Sequence, residues 1–147
     1  MDNIRISTIK TTDKNYHRVF DLREEILRKP IGLSLKNEDL SGDALDTILI
    51  AENGDELLGC VMLHPTESKD KLKLRQMAVA DNWQGKGIGC MLVEAAEGHC
   101  RKTGVDKIVL HARITAEPLY SKLGYITKSD EFAEVGIPHV IMEKQLL

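Results

Sequence analysis

The most constraining feature of the 147-residue chain is a change of hydrophobic period around residues 84–89. Leu74-Arg75-Gln76-Met77-Ala78-Val79 reads as a strand and runs into a turn at Asp81-Asn82-Trp83. The segment Gln84-Gly85-Lys86-Gly87-Ile88-Gly89 follows, and from it Ile88, Met91, Leu92, Ala95, Ala96 and His99 fall on one helical face. That helix is expected to end near Thr103-Gly104. Strand, glycine loop and helix together form a phosphate-site arrangement. The first turn of a helix has N–H groups without intrahelical partners and a partial positive charge, and glycine has no Cβ to hold a phosphate away. The glycines would equally serve a tight turn and close helix packing. Two nucleotide fingerprints are excluded by spacing: there is no Walker loop, and Gly85, Gly87 and Gly89 are followed by Cys90 rather than completing G-x-G-x-x-G.

The rest of the chain builds a sheet around this unit. Ile4 and Ile6, with Thr8, suggest a short strand; a helix is expected over Asn15 to Arg28, ended by Pro30 and Gly32. Lys36 to Asp46 is polar, a loop or short helix with a turn signal at Ser41-Gly42. Thr47 to Glu52, Glu56 to His64 and Leu72 to Val79 form a predicted antiparallel meander, its first two strands joined at Asn53-Gly54. A strand over Lys107 to His111, a helix over Thr115 to Leu123 closed by Gly124, and a last strand at Val140 to Met142 complete the order. This order implies a mixed α/β sheet. No repeat or shift in composition divides the chain, so residues 1–147 are expected to form one domain.

Composition limits the partners. With 20 Lys and Arg against 23 Asp and Glu, the net charge of −3 offers no long-range attraction to nucleic acid or an anionic membrane. An anionic ligand must be met locally. Cys60, Cys90 and Cys100 are odd in number and lack paired zinc-site spacing, which fits a reducing, cytoplasmic setting and no metal. Met1 to Lys10 holds no signal-like apolar run, and no stretch approaches the roughly 20 apolar residues of a membrane span.

Gln84-x-x-Gly87-x-Gly89, placed after a strand ending Met77-Ala78-Val79, resembles the (Gln or Arg)-x-x-Gly-x-(Gly or Ala) signature of the GCN5-related N-acetyltransferases. Ala116 to Tyr125, with Tyr120 and Leu123-Gly124-Tyr125, is similar to that superfamily's second cofactor-contacting segment. Glu131-Phe132 and Glu134 to His139, ending Met142-Glu143-Lys144, resembles a bacterial subgroup that includes ElaA. The likeness spans nearly the whole chain. It implies a mixed sheet of six to seven strands with flanking helices, in which strands four and five splay around acetyl-CoA.

The resemblance also implies roles. Met77, Ala78, Val79, Gln84, Gly85, Lys86, Gly87, Ile88, Gly89, Cys90, Tyr120 and Lys122 are the expected acetyl-CoA contacts. The Val79 backbone amide is the expected oxyanion donor, and Tyr120 the expected general acid for the departing thiolate. Tyr120 could alternatively pack its helix on the sheet, Lys86 and Lys122 could be merely solvated, and Cys90 could be a packing thiol. Where the superfamily often has asparagine after the fifth strand, this chain has His111-Ala112-Arg113. The base is open among His111 and His139, whose side-chain type titrates near neutral pH, and Glu38, Asp39 and Glu117 acting through water. The expected acceptor is a primary amine on a small molecule or protein, chosen by Lys29 to Asp46 and Ser129 to His139. A monomer or homodimer is expected. Two other classes of function stay open: a non-catalytic acyl-CoA-binding module, and an interaction protein without acyl-CoA affinity.

Overall fold

The computed structural model describes residues 3–147. Its centre is an eight-stranded sheet formed by β1 (Ile4–Ile9), β2 (Thr47–Asn53), β3 (Glu56–Pro65), β4 (Lys71–Val79), β5 (Lys107–Arg113), β6 (Ile126–Thr127), β7 (Phe132–Glu134) and β8 (Ile137–Gln145). The spatial order is β1-β2-β3-β4-β5-β8-β6, with β7 also on β8. The expected mixed sheet is present; the strand number rises to eight through the two very short strands β6 and β7.

All pairings are antiparallel except β4 with β5. A parallel pair needs a crossover, and here it is the helix α2 (Ile88–Lys102). The other helices are α1 (Tyr16–Arg23) and α3 (Glu117–Lys122). The expected helix over Asn15 to Arg28 is α1 prolonged by a π-helical turn at Glu24–Arg28; a 3-10 turn at Lys29–Ile31 then ends at Gly32, whose φ is +74°. The polar stretch after it contains two 3-10 turns, Leu35–Asn37 and Ser41–Leu45.

In β2, Ile48, Leu49, Ile50 and Ala51 are all buried, because side chains alternate between faces and both faces are covered. One core joins Leu49, Leu63, Leu74, Ile108 and Leu110 to Leu92, Val93 and Ala96 of α2 and to Tyr120 of α3. The other joins Ile48, Ile50, Cys60 and Met62 to Val19 of α1. At Gly59 a Cβ would come within 3.1 Å of the Ala78 carbonyl oxygen, Ile88 and Leu92. Glycine there lets the start of α2 sit directly on the sheet.

Candidate functional site

Strands β4 and β5 pair only from Lys71↔Lys107 to Leu74↔Leu110. Beyond that point β4 stays with β3 as far as Val79, while β5 stays with β8 as far as Arg113↔His139. A bulge parts them. The β3 register jumps from Met62↔Arg75 to Cys60↔Ala78, placing Gln76 and Met77 opposite the single residue Val61. Gln76 takes the left-handed conformation with φ +57°, strained for a residue with a Cβ. Its side chain is held from α1: Arg23, 1% exposed, donates through Nε to Gln76 Oε1 at 2.9 Å and through Nη1 to Asp43 Oδ2 at 2.9 Å. Burial alone would raise the Asp43 carboxyl, but Arg23 and Arg75 beside it hold it below the ordinary carboxylate range.

The parted strands enclose a cleft of about 410 Å³. Met77, His111 and Tyr120 stand in its wall, with Lys73, Arg113 and Glu134. Ala78 instead points into the core under α1. Val79 lies at the outgoing end of β4. Successive N–H groups of a strand point to opposite sides. Since the Ala80 N–H is bonded to the Leu58 carbonyl on β3, the Val79 N–H is directed away from β3, towards the gap.

The glycine loop lies outside the cleft wall, at the far end of β4. Gln84, expected as a cofactor contact, has its side-chain Nε2 on the Val79 carbonyl at 3.0 Å, so it fastens the loop to the strand. Gly85 and Gly87 have φ of +75° and +86°, which only glycine adopts without strain. Gly89 has no such φ, and a Cβ at 85, 87 or 89 would meet nothing within 4 Å. Internal packing therefore asks for none of the three. Gly87 is the N-cap of α2 and supplies no side-chain acceptor, and the first helical bond recorded there is Met91 N–H to the Gly87 carbonyl. The N–H groups of Ile88, Gly89 and Cys90 thus belong to the open first turn of a 15-residue helix. The Ile88 side chain itself is buried in the core. Lys86 places Nζ 5.1 Å from the Trp83 ring, and Lys122 is exposed on α3.

Tyr120 is 7% exposed, packs edge-on against Tyr125 at 5.7 Å, and makes no side-chain hydrogen bond among the described residues. Burial, then the neighbouring Cys90, push its phenol up to about 12, so it stays protonated and a donor. The same burial pushes the Cys60 thiol up to about 12 and the Cys100 thiol to about 11, which makes both poor nucleophiles.

Beyond Tyr120 the cleft wall carries Lys73, which the sequence reading did not name, Glu134, named there only within a longer segment, and Arg113, named there with His111 where asparagine was expected. Glu134 comes from β7, where the two-residue turn Val135-Gly136 has φ of +46° and +74°. Lys73 comes from the incoming part of β4, and Arg113, in the place expected of asparagine, closes β5. A second hollow of about 280 Å³ shares Arg28, Lys73, Arg75 and Gln76 with the cleft and reaches the turns after α1. The acceptor segments named from sequence do border these spaces: Glu38, Asp39 and Asp43 on one side, Glu134, Val135 and His139 on the other.

Residues 33–146 match the Acetyltransferase (GNAT) domain family. A Bacillus subtilis (strain 168) protein that carries an acetyltransferase name is 28% identical over 141 residues, covering 92% of each chain. Among solved structures, Escherichia coli ElaA superposes with a TM-score of 0.85 at 15% identity, over 97% of this chain and 99% of that one. A Bacillus subtilis acetyltransferase in complex with CoA gives 0.75 at 23% identity, over 98% and 99%. A parallel pair of strands parted by a bulge, leading into an uncapped glycine-rich helix start, is thus found in a sequence whose residues 33–146 fit that domain, and the chain belongs to the GNAT family of acetyltransferases.

Proposed function

We propose that residues 1–147 act as one N-acetyltransferase domain, moving acetyl from acetyl-CoA to a primary amine by direct attack in a ternary complex. The observation that carries this reading is the trio of glycines whose Cβ positions face open space at the start of α2, at the end of the strand whose Met77 lines the cleft. That cradle fits a pyrophosphate: the N–H groups of Gly87, Ile88, Gly89 and Cys90 would hold it, with Lys86 at its edge. CoA-bound and acetyl-CoA-bound relatives from Bacillus subtilis and Elizabethkingia anophelis support the choice of cosubstrate.

When bound, acetyl-CoA supplies an activated acyl group and a thiolate leaving group. The chain's part is to orient, to stabilise charge and to move protons. The Val79 N–H, directed towards the gap, donates to the carbonyl oxygen as negative charge builds there. His111, in the cleft wall, accepts one proton from the acceptor ammonium. The Tyr120 phenol gives its proton to the sulfur as the C–S bond breaks, and the second proton lost by the nitrogen restores the phenol, so that proton is in balance the one that ends on the sulfur.

Titration calorimetry with acetyl-CoA, followed by CoA release over a panel of primary amines and mass spectrometry of the product, tests the reading. Expected are binding and an increase of 42 Da on the amine, the mass of an acetyl group less one hydrogen, ~42 by its formula. Binding without turnover on any amine would leave an acyl-CoA-binding module instead.

A further inference from the structure

Past the acyl-CoA half of the site, four strands bring four titratable side chains together: Lys73 from β4, His111 from β5, Glu134 from β7 and His139 from β8. His111 Nδ1 lies 2.8 Å from Glu134 Oε1 and 3.5 Å from Lys73 Nζ. His139 Nε2 lies 3.8 Å from Glu134 Oε2, and His139 Nδ1 lies 2.7 Å from its own strand's Ile137 carbonyl. Phe132 clamps both rings, edge-on to His111 at 5.3 Å and stacked on His139 at 6.1 Å.

The hydrogen-bond roles follow from charge. Burial would raise the Glu134 carboxyl, but the bond from His111 and the charges of His111, Lys73 and His139 more than offset it and hold Glu134 below the ordinary range. Glu134 is therefore an acceptor only at neutral pH. The proton of neutral His111 must then sit on Nδ1, and the lone pair on Nε2, which has no partner among the described residues. The other candidate bases are committed. His139 is 4% exposed with both ring nitrogens facing acceptors. Glu38 is paired with Arg28 through two bonds of 2.6 and 3.3 Å, Asp39 accepts the Ser41 N–H, and Glu117 accepts the Thr127 hydroxyl.

We propose that Glu134 is the positioning residue for His111: its carboxylate takes the Nδ1–H, fixes the ring, and leaves Nε2 as the base for the acceptor ammonium. This rests on the acetyl-transfer reading above. The balance is one proton from R–NH3⁺ to Nε2, giving imidazolium and a free amine; the amine forms the C–N bond as C–S breaks. The remaining surplus nitrogen proton goes to sulfur, and the imidazolium returns its proton to water. Lys73 and Arg113 face the same space and oppose the imidazolium charge, while Glu134 favours it.

The test has two independent readouts. Heteronuclear NMR of ¹⁵N-histidine-labelled protein, which needs no acceptor, should find His111 as the Nδ1–H tautomer in the wild type and a mixed tautomer in Glu134→Gln. With acetyl-CoA and the best amine of the panel, Glu134→Gln should move the acid limb of kcat/KM to lower pH by about one unit, since a neighbouring negative charge is lost. His111→Ala should remove that limb and lower kcat by about 10²-fold. Glu134→Asp, which keeps the charge, should restore the limb. An Nε2–H tautomer in the wild type, or an unmoved limb in Glu134→Gln, overturns the proposal. Calorimetry on the same samples separates the two ideas: loss of acetyl-CoA binding in the wild type would sink the acetyl-transfer reading itself.

Discussion

A phenol without a hydrogen-bond partner among the described residues, 7% exposed in a cleft wall, has a specific use where a ligand atom will sit against it. Tyr120 starts from 10.0 and is raised to about 12, first by burial and then by Cys90. A raised value means that the protonated form is kept as pH rises, so Tyr120 contributes no alkaline loss of activity up to about pH 10, two units below that value. Tyr120→Phe should leave acetyl-CoA affinity within about threefold and lower kcat by about 10²-fold. An unchanged kcat would reduce the residue to a packing aromatic. At this scale the motifs marked positions that the fold brings to the cleft wall, Tyr120, and to the start of α2, Gly87. They gave no individual role to Glu134, which reaches His111 through a three-residue strand and a Val-Gly turn. Valine is among the residues least suited to positive φ, so local propensity argued against the turn that brings Glu134 into the site.

At the scale of elements, β4 is a strand made useful by a defect. Its run from Leu72 to Val79 was legible as a strand from alternation alone, but alternation does not reveal the extra residue at Gln76 that turns the strand away from β5. The support for that defect comes from Arg23 and Asp43, far away in sequence and inside segments read as an amphipathic helix and a polar loop. Charged residues are rarely buried fully without partners, and nothing local announces which ones will be. Arg23→Met should cost about 3 kcal/mol by leaving Asp43 buried with one cation fewer. It also frees the Gln76 side chain, so acetyl-CoA affinity should fall although Arg23 is buried beneath the site. Urea unfolding and calorimetry on one preparation measure both. A stability loss with full affinity would show that the bulge holds without its tether.

For the whole molecule, the sheet is two half-sheets, β1 to β4 and β5 to β8, joined across the middle by only four register pairs. The strand, loop and helix proposed to hold acetyl-CoA were legible as elements because they are contiguous in sequence; the opposite wall of the cleft was legible only as two segments, because α1, the turns after it, β7 and β8 come together from distant parts of the chain. A ligand lying along the gap adds a bridge between the half-sheets where β4 and β5 have parted. Binding to the folded state alone at 100 times Kd stabilises by about 2.7 kcal/mol. For a chain of this size each kcal/mol moves Tm by about 2–4 °C, so saturating acetyl-CoA should raise Tm by about 5–10 °C. Hydrogen exchange should slow at Val79, whose N–H faces the gap, and at Ile88 to Cys90, more than in β1 or β2. Gly87→Glu places a side chain at φ +86° and a negative charge where the phosphate would sit, so it should lower the starting Tm and abolish the acetyl-CoA shift. If wild type and Gly87→Glu respond alike, the anion is held elsewhere and the glycine loop is only a turn.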